Sequence, residues 1–130
     1  METKTVTIEG REYKLLRYKT EWVFPVITTY EHGLGSPVAL ILLYLEDDSL
    51  EIYTDVTVNL PECTRSAGCQ FIDTNANEED ILDWLEENQF GKRTGKSGKS
   101  GFCTYTEFIF YAGEQYWNYR RINEQLQESE

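Results

Sequence analysis

The sequence predicts an α+β fold: a mostly antiparallel sheet of about five to seven strands, with an acidic amphipathic helix at about 77–89 inserted before the last strand and a C-terminal helix at 114–128. Three observations predict it. Short β-branched and aromatic runs recur between turn signals. One stretch, NEEDILDWLEENQ, has helical rather than strand periodicity. The chain of 130 residues suits one domain with a single core.

Val6 and Ile8 alternate within TVTI, Glu9-Gly10-Arg11 can turn the chain, and YKLLRY continues as the second arm of a hairpin over 5–18. WVFPVITTY (22–30) is strand-like, but Pro25 has no N–H for a ladder and places it at an edge or a bulge. EHGLGSP is a loop. Val38–Leu45 is apolar almost throughout, as in a central strand covered on both faces. After the turn Glu46-Asp47-Asp48-Ser49, residues 51–60 alternate, with Ile52, Thr54, Val56, Val58 and Leu60 expected inward.

CQFI (69–72) is a short strand, and Asn75 or Asn77 is the expected cap of the helix that follows. Glu78, Glu79 and Asp80 sit in its first turn, where the positive end of the helix dipole favours carboxylates. Ile81, Leu82, Trp84 and Leu85 form its apolar stripe; Glu79, Asp80, Asp83, Glu86 and Glu87 fall on the opposite face, and Gly91 is the expected terminator. GKRTGKSGKSG (91–101) is predicted to be a flexible Gly/Lys/Ser-rich loop. The aromatic run 102–112 is the last strand, and the helix at 114–128 turns Tyr119, Ile122 and Leu126 inward.

Net charge is −11, but residues 31–87 hold fourteen acidic side chains against Arg65 alone. That field repels nucleic acid and anionic lipid and attracts basic surfaces. No apolar run reaches the length of a membrane span, and METKTVTIEG lacks the apolar core of a secretion signal, so a cytoplasmic protein is expected. Three cysteines make no disulfide framework.

The chemical motifs are incomplete. A phosphate-binding loop needs four residues between its glycines and a strand-to-helix setting; Gly91 and Gly95 have three between them, and here a helix precedes and a strand follows. Lys92, Arg93, Lys96 and Lys99 remain candidates for phosphate or nucleic-acid contact. Cys63 and Cys69 have five residues between them, wider than zinc knuckles, and His32 is in a loop, far from either in sequence. Asp73 is the carboxylate best placed at a buried strand end, where an Asx turn is its ordinary role. No catalytic residue, cofactor or metal site is therefore expected. The candidate partner-binding face comprises Glu46, Asp47, Asp48, Glu51 and Asp55 with Glu79, Asp80, Asp83, Glu86 and Glu87.

Three segments, VNLPE (58–62), FIDTN (71–75) and SGFCTY (100–105), with WLEENQFGK between the last two and VFPVITTY as an opening, resemble a family of small bacterial proteins of unknown function carried by conjugative elements, plasmids and phages of gut bacteria. The resemblance runs from about Val23 to Tyr111, and the 92–99 segment and the tail from Gly113 look like departures from it. It brings no catalytic residues. It implies a non-enzymatic anti-defence protein, anti-CRISPR or anti-restriction, that binds the basic nucleic-acid-binding surface of a host nuclease. The alternatives are a conjugation or plasmid-maintenance module touching nucleic acid through 92–99, and a small enzyme using Asp73 or Cys103. Oligomeric state is left open.

Overall fold

In the computed structural model, which describes residues 2–33 and 35–128, two antiparallel sheets enclose a core shared with two helices. The first sheet has the order β1 (Thr3–Ile8), β2 (Arg11–Tyr18), β3 (Glu21–Thr29), β4 (Val38–Glu46), β5 (Ser49–Asp55). The second has the order β6 (Thr57–Val58), β7 (Cys69–Ile72), β9 (Cys103–Ile109), β8 (Lys92–Ser100). Helix α1 (Asp80–Glu87) joins β7 to β8, and α2 (Glu114–Glu128) closes the chain. The α+β class stands, with nine strands rather than five to seven, and α1 precedes the last two strands rather than the last one.

The β1–β2 hairpin turns on Glu9 and Gly10, both at positive φ (51° and 82°), the backbone that matches the twist of two-residue hairpins. β2 then pairs with β3 only from Leu16↔Val23 to Tyr18↔Glu21 and departs from it. Pro25 lies just beyond the departure, so β3 is an interior strand whose second half has one open side. α2 fills that gap. The Tyr119 hydroxyl donates to Lys14 O of β2 (2.6 Å). The Asn123 amide accepts from Ile27 N (3.2 Å) and donates to Pro25 O (3.1 Å) of β3. A buried amide thus replaces the ladder that proline leaves incomplete.

Burial pushes the Tyr119 phenol well above its ordinary value of 10.0. The neutral form is favoured in the folded state, so its stabilisation is complete below about pH 10 and is lost as pH rises through the folded pKa. Tyr119→Phe is expected to flatten the alkaline loss of stability and to lower neutral-pH stability by about 1–3 kcal/mol, since Lys14 O loses its donor. Urea unfolding at pH 7 and at pH 11 measures both; an unchanged alkaline slope would count against this assignment.

The expected strand 51–60 is broken in two. A register shift between Leu42 and Leu43 bulges the β4–β5 pair, and Ile52 ends 73% exposed while Val56 and Leu60 are buried. At Val56 the chain passes into the second sheet. There the buried Thr57 hydroxyl accepts from Leu40 N (3.1 Å) and bonds Tyr30 Oη (2.9 Å), tying the two sheets together.

Residues 92–100, expected to be a flexible loop, form strand β8 paired with β9 from Lys92↔Ile109 to Ser100↔Cys103. The glycines that suggested flexibility permit this pairing. A Cβ on Gly98 would come within 2.7 Å of the Phe71 ring, so only glycine lets the strand lie on the core there. Gly95, at φ +88°, serves the irregularity between Arg93 and Ser97.

Candidate functional site: an acidic surface on helix α1 and strand β5

Helix α1 buries Ile81, Leu82, Trp84 and Leu85, as the periodicity predicts, and leaves its carboxylates on the other face. It is shorter than expected, Asp80–Glu87 rather than 77–89. Neither Asn75 nor Asn77 caps it: Glu79 occupies the cap position with helical angles and makes no side-chain cap bond. The far end is closed by a Schellman motif, with Phe90 N bonding Leu85 O (2.9 Å) and Gln89 N bonding Glu86 O (3.0 Å). Gln89, at φ 62°, takes the left-handed position expected for a glycine, so Gly91 is not the terminator.

Asn77 has a different task. Its amide donates to Asp55 O and to Asp73 O, both at 2.9 Å, and its oxygen accepts from the Thr54 hydroxyl at 2.7 Å. Asp73 Oδ1 accepts from Ala76 N (2.9 Å), the turn-forming role anticipated for it. These bonds dock the start of α1 onto the end of β5. A shallow notch of about 240 Å³ lies at this junction, lined by Tyr18, Lys19, Tyr53, Thr54, Asn77 and Glu78; the Glu51 charge acts on Tyr44 and the Asp55 charge on Tyr30.

Electrostatics at the edges of this surface reflect the crowding of negative charge. The Tyr44 phenol donates to Glu46 (2.6 Å), and that bond, with smaller contributions from desolvation and from the charges of Glu46, Glu21 and Glu51, holds its pKa above the ordinary value. Tyr18 is raised too, chiefly by burial, with Asp80 and Glu78 adding to the effect and Lys19 opposing it.

Two cations enter the surface. Lys19, in the β2–β3 turn, pairs with Glu78 (2.9 Å) and Asp80 (3.8 Å). Arg93, at the start of β8, pairs with Asp83 (2.7 Å) and Glu86 (3.5 Å), and its backbone N–H donates to Glu86 (3.0 Å). Such exposed pairs add little to stability, but they remove three predicted carboxylates, Asp80, Asp83 and Glu86, from the freely available set. Among the described residues, Asp55, Glu79 and Glu87 are exposed and have no cation partner. Asp47 and Asp48 project from the β4–β5 turn, and Asp48 faces a separate groove with Glu9 and Arg11. The basic set is divided as well: Arg93 belongs to the acidic surface, whereas Lys92, Lys96 and Lys99 stay exposed along β8.

One carboxylate was missed in the sequence. Glu107 is 1% exposed on β9 and accepts from the Thr94 hydroxyl (2.7 Å), where the irregularity in β8 reaches over it. A single acid in the aromatic run FCTYTEFIFY was the available signal. The three cysteines are free; Cys63 donates to Lys99 O (3.4 Å), and burial raises the Cys69 thiol. Among the described residues no three His, Cys, Asp or Glu side chains come together as metal ligands, and no helix is long and apolar enough to cross a membrane.

A family model described as a domain of unknown function, DUF4313, matches residues 27–128. The chain belongs to the DUF4313 family. The DUF4313 match includes β8 and α2, so the 92–99 segment and the tail to residue 128 fall within the family region rather than departing from it. No curated protein and no solved structure matches the chain.

Proposed function

We propose that this DUF4313 protein is a non-enzymatic acidic accessory protein of a mobile genetic element. It binds the basic, nucleic-acid-binding surface of a host nuclease complex and so acts as an anti-CRISPR or anti-restriction inhibitor. The observation that carries the reading is the Asn77 clamp, which fixes the start of α1, with its exposed carboxylates, against the end of β5. Carboxylates held on a strand and a helix stand in for phosphates on a groove shaped for nucleic acid. The competing reading, nucleic-acid contact through residues 92–99, loses Arg93 to the ion pairs with Asp83 and Glu86 and retains three lysines.

The test is a cleavage assay of CRISPR and restriction nucleases titrated with the protein, beside gel shifts with single- and double-stranded DNA and RNA. Salt-sensitive inhibition with no gel shift is the expected result. A gel shift that Lys92, Lys96 and Lys99 are needed for would replace this reading with the nucleic-acid one. Inhibition that persists undiminished in 1 M salt would refute a charge-based mechanism.

A further inference from the structure

Two features of the chain have no role in the acidic surface, and they match each other. The first is a groove of about 660 Å³ on the first sheet, where the β1–β2 hairpin, the β4–β5 turn and the last turns of α2 meet. The ends of both edge strands reach it, Ile8 from β1 and Leu50 from β5, so the sheet is curled around it. Its floor is apolar and aromatic, with Tyr13, Phe24, Val26, Leu43 and Leu50. Glu9, Asp48 and Arg11 line it as well, two carboxylates against one guanidinium. Its volume falls in the range of built binding sites.

The second is the tip of the β8–β9 hairpin. Phe102 is fully exposed there, at 110% of its reference area, beside Gly101 at φ 60°. Lys96 and Lys99 stand exposed on the strand leading to it. A projecting aromatic ring is suited to anchor an interface, and the two ammonium groups place positive charge on the strand that leads to it.

We infer that this protein self-associates, with the Phe102 tip of one copy seated in the sheet groove of a second copy. The apolar ring meets the apolar floor, and Lys96 and Lys99 meet the carboxylates of Asp48 and Glu9. Local charge selects a basic tip over a polyanion or an anionic bilayer, because Glu9 and Asp48 outnumber Arg11 along the groove. Tip and groove are different surfaces, so the contact is heterologous; it closes as a reciprocal pair or continues as a chain of copies. The acidic surface on α1 and β5 is not used, so this inference stands apart from the proposed inhibition.

Sedimentation velocity of the full chain across micromolar to millimolar concentration tests it, with circular dichroism to confirm folding. Average mass is expected to rise with concentration. Phe102→Ser, at a fully exposed position, is expected to weaken association by on the order of tenfold or more. Asp48→Lys and Lys99→Glu are each expected to weaken it, and mixing those two variants to recover it. A single-chain mass at every concentration overturns the inference, as does association that Phe102→Ser leaves unchanged. Native mass spectrometry showing a small molecule retained by the wild-type chain would also overturn it and give the groove to that ligand. Loss of oligonucleotide binding in Phe102→Ser, with the wild type monomeric, would instead assign the tip to nucleic acid.

Discussion

Asp55→Lys, Glu79→Lys and Glu87→Lys combined are expected to weaken inhibition of the target nuclease by at least about 100-fold, the equivalent of roughly 2.7 kcal/mol. These three carboxylates are chosen because no cation of the described chain neutralises them. Each reversal both removes an attraction and adds a like-charge contact against a basic groove. Reversing Asp83 or Glu86 would be less informative, since it would also release Arg93 and alter the start of β8. All three positions are exposed, so the fold should persist, and an unchanged circular dichroism spectrum is the control. Inhibition constants measured at low and high ionic strength give the answer. The reversed variant should also lose the salt dependence of the wild type; undiminished inhibition would mean that another surface makes the contact.

Trp84→Ala is expected to destabilise the protein by about 3–5 kcal/mol, a large share of a typical domain stability of about 5–15 kcal/mol. Trp84 is 8% exposed and joins several layers of the core. Its ring stacks on Phe90 (5.7 Å between centroids) and meets Tyr18 edge-on (5.1 Å), and Phe90 in turn stacks on Tyr119 of α2 (6.0 Å). Its indole N–H donates to Arg17 O (2.7 Å), which would be left without that partner. Urea denaturation followed by far-ultraviolet circular dichroism measures the loss, and Trp84→Phe separates the two contributions by keeping an aromatic ring while removing the donor. A cost below about 1 kcal/mol for alanine would show that α1 is loosely attached, and the rigid presentation of its carboxylates would fall with it.

Glu79 and Glu87 on one side and Trp84 on the other mark opposite faces of one helix, and that division is legible in the sequence. Ile81, Leu82, Trp84 and Leu85 repeat at helical spacing, so burial of one face and solvation of the other follow from local geometry. The β1–β2 hairpin, the strand character of 69–72 and the C-terminal helix at 114–128 were equally local, written in alternation and turn chemistry.

The features that escaped depend on partners distant in sequence. β8 has no hydrophobic alternation because its glycines are needed where the backbone meets Phe71, a contact across twenty-seven positions that composition reads as flexibility. Pro25 indicated an edge or a bulge, and β2 does leave that side of β3 open; what escaped is that α2 supplies, nearly a hundred residues later, the Asn123 amide that fills it. Asn77 offered itself as a helix cap and instead clamps α1 to β5, because Thr54 and Asp55 present partners that no local pattern announces. By itself the sequence determined which residues carry charge, which segments are helical or extended, and that negative charge is concentrated in residues 31–87. Only the tertiary structure decided that α1 docks on the end of β5, which carboxylates are neutralised by Lys19 and Arg93, and that an apolar groove and an exposed phenylalanine coexist on one chain. The reason is physical: periodicity is a property of neighbours along the chain, whereas ion pairs, close glycine contacts and unfilled grooves are properties of neighbours in space.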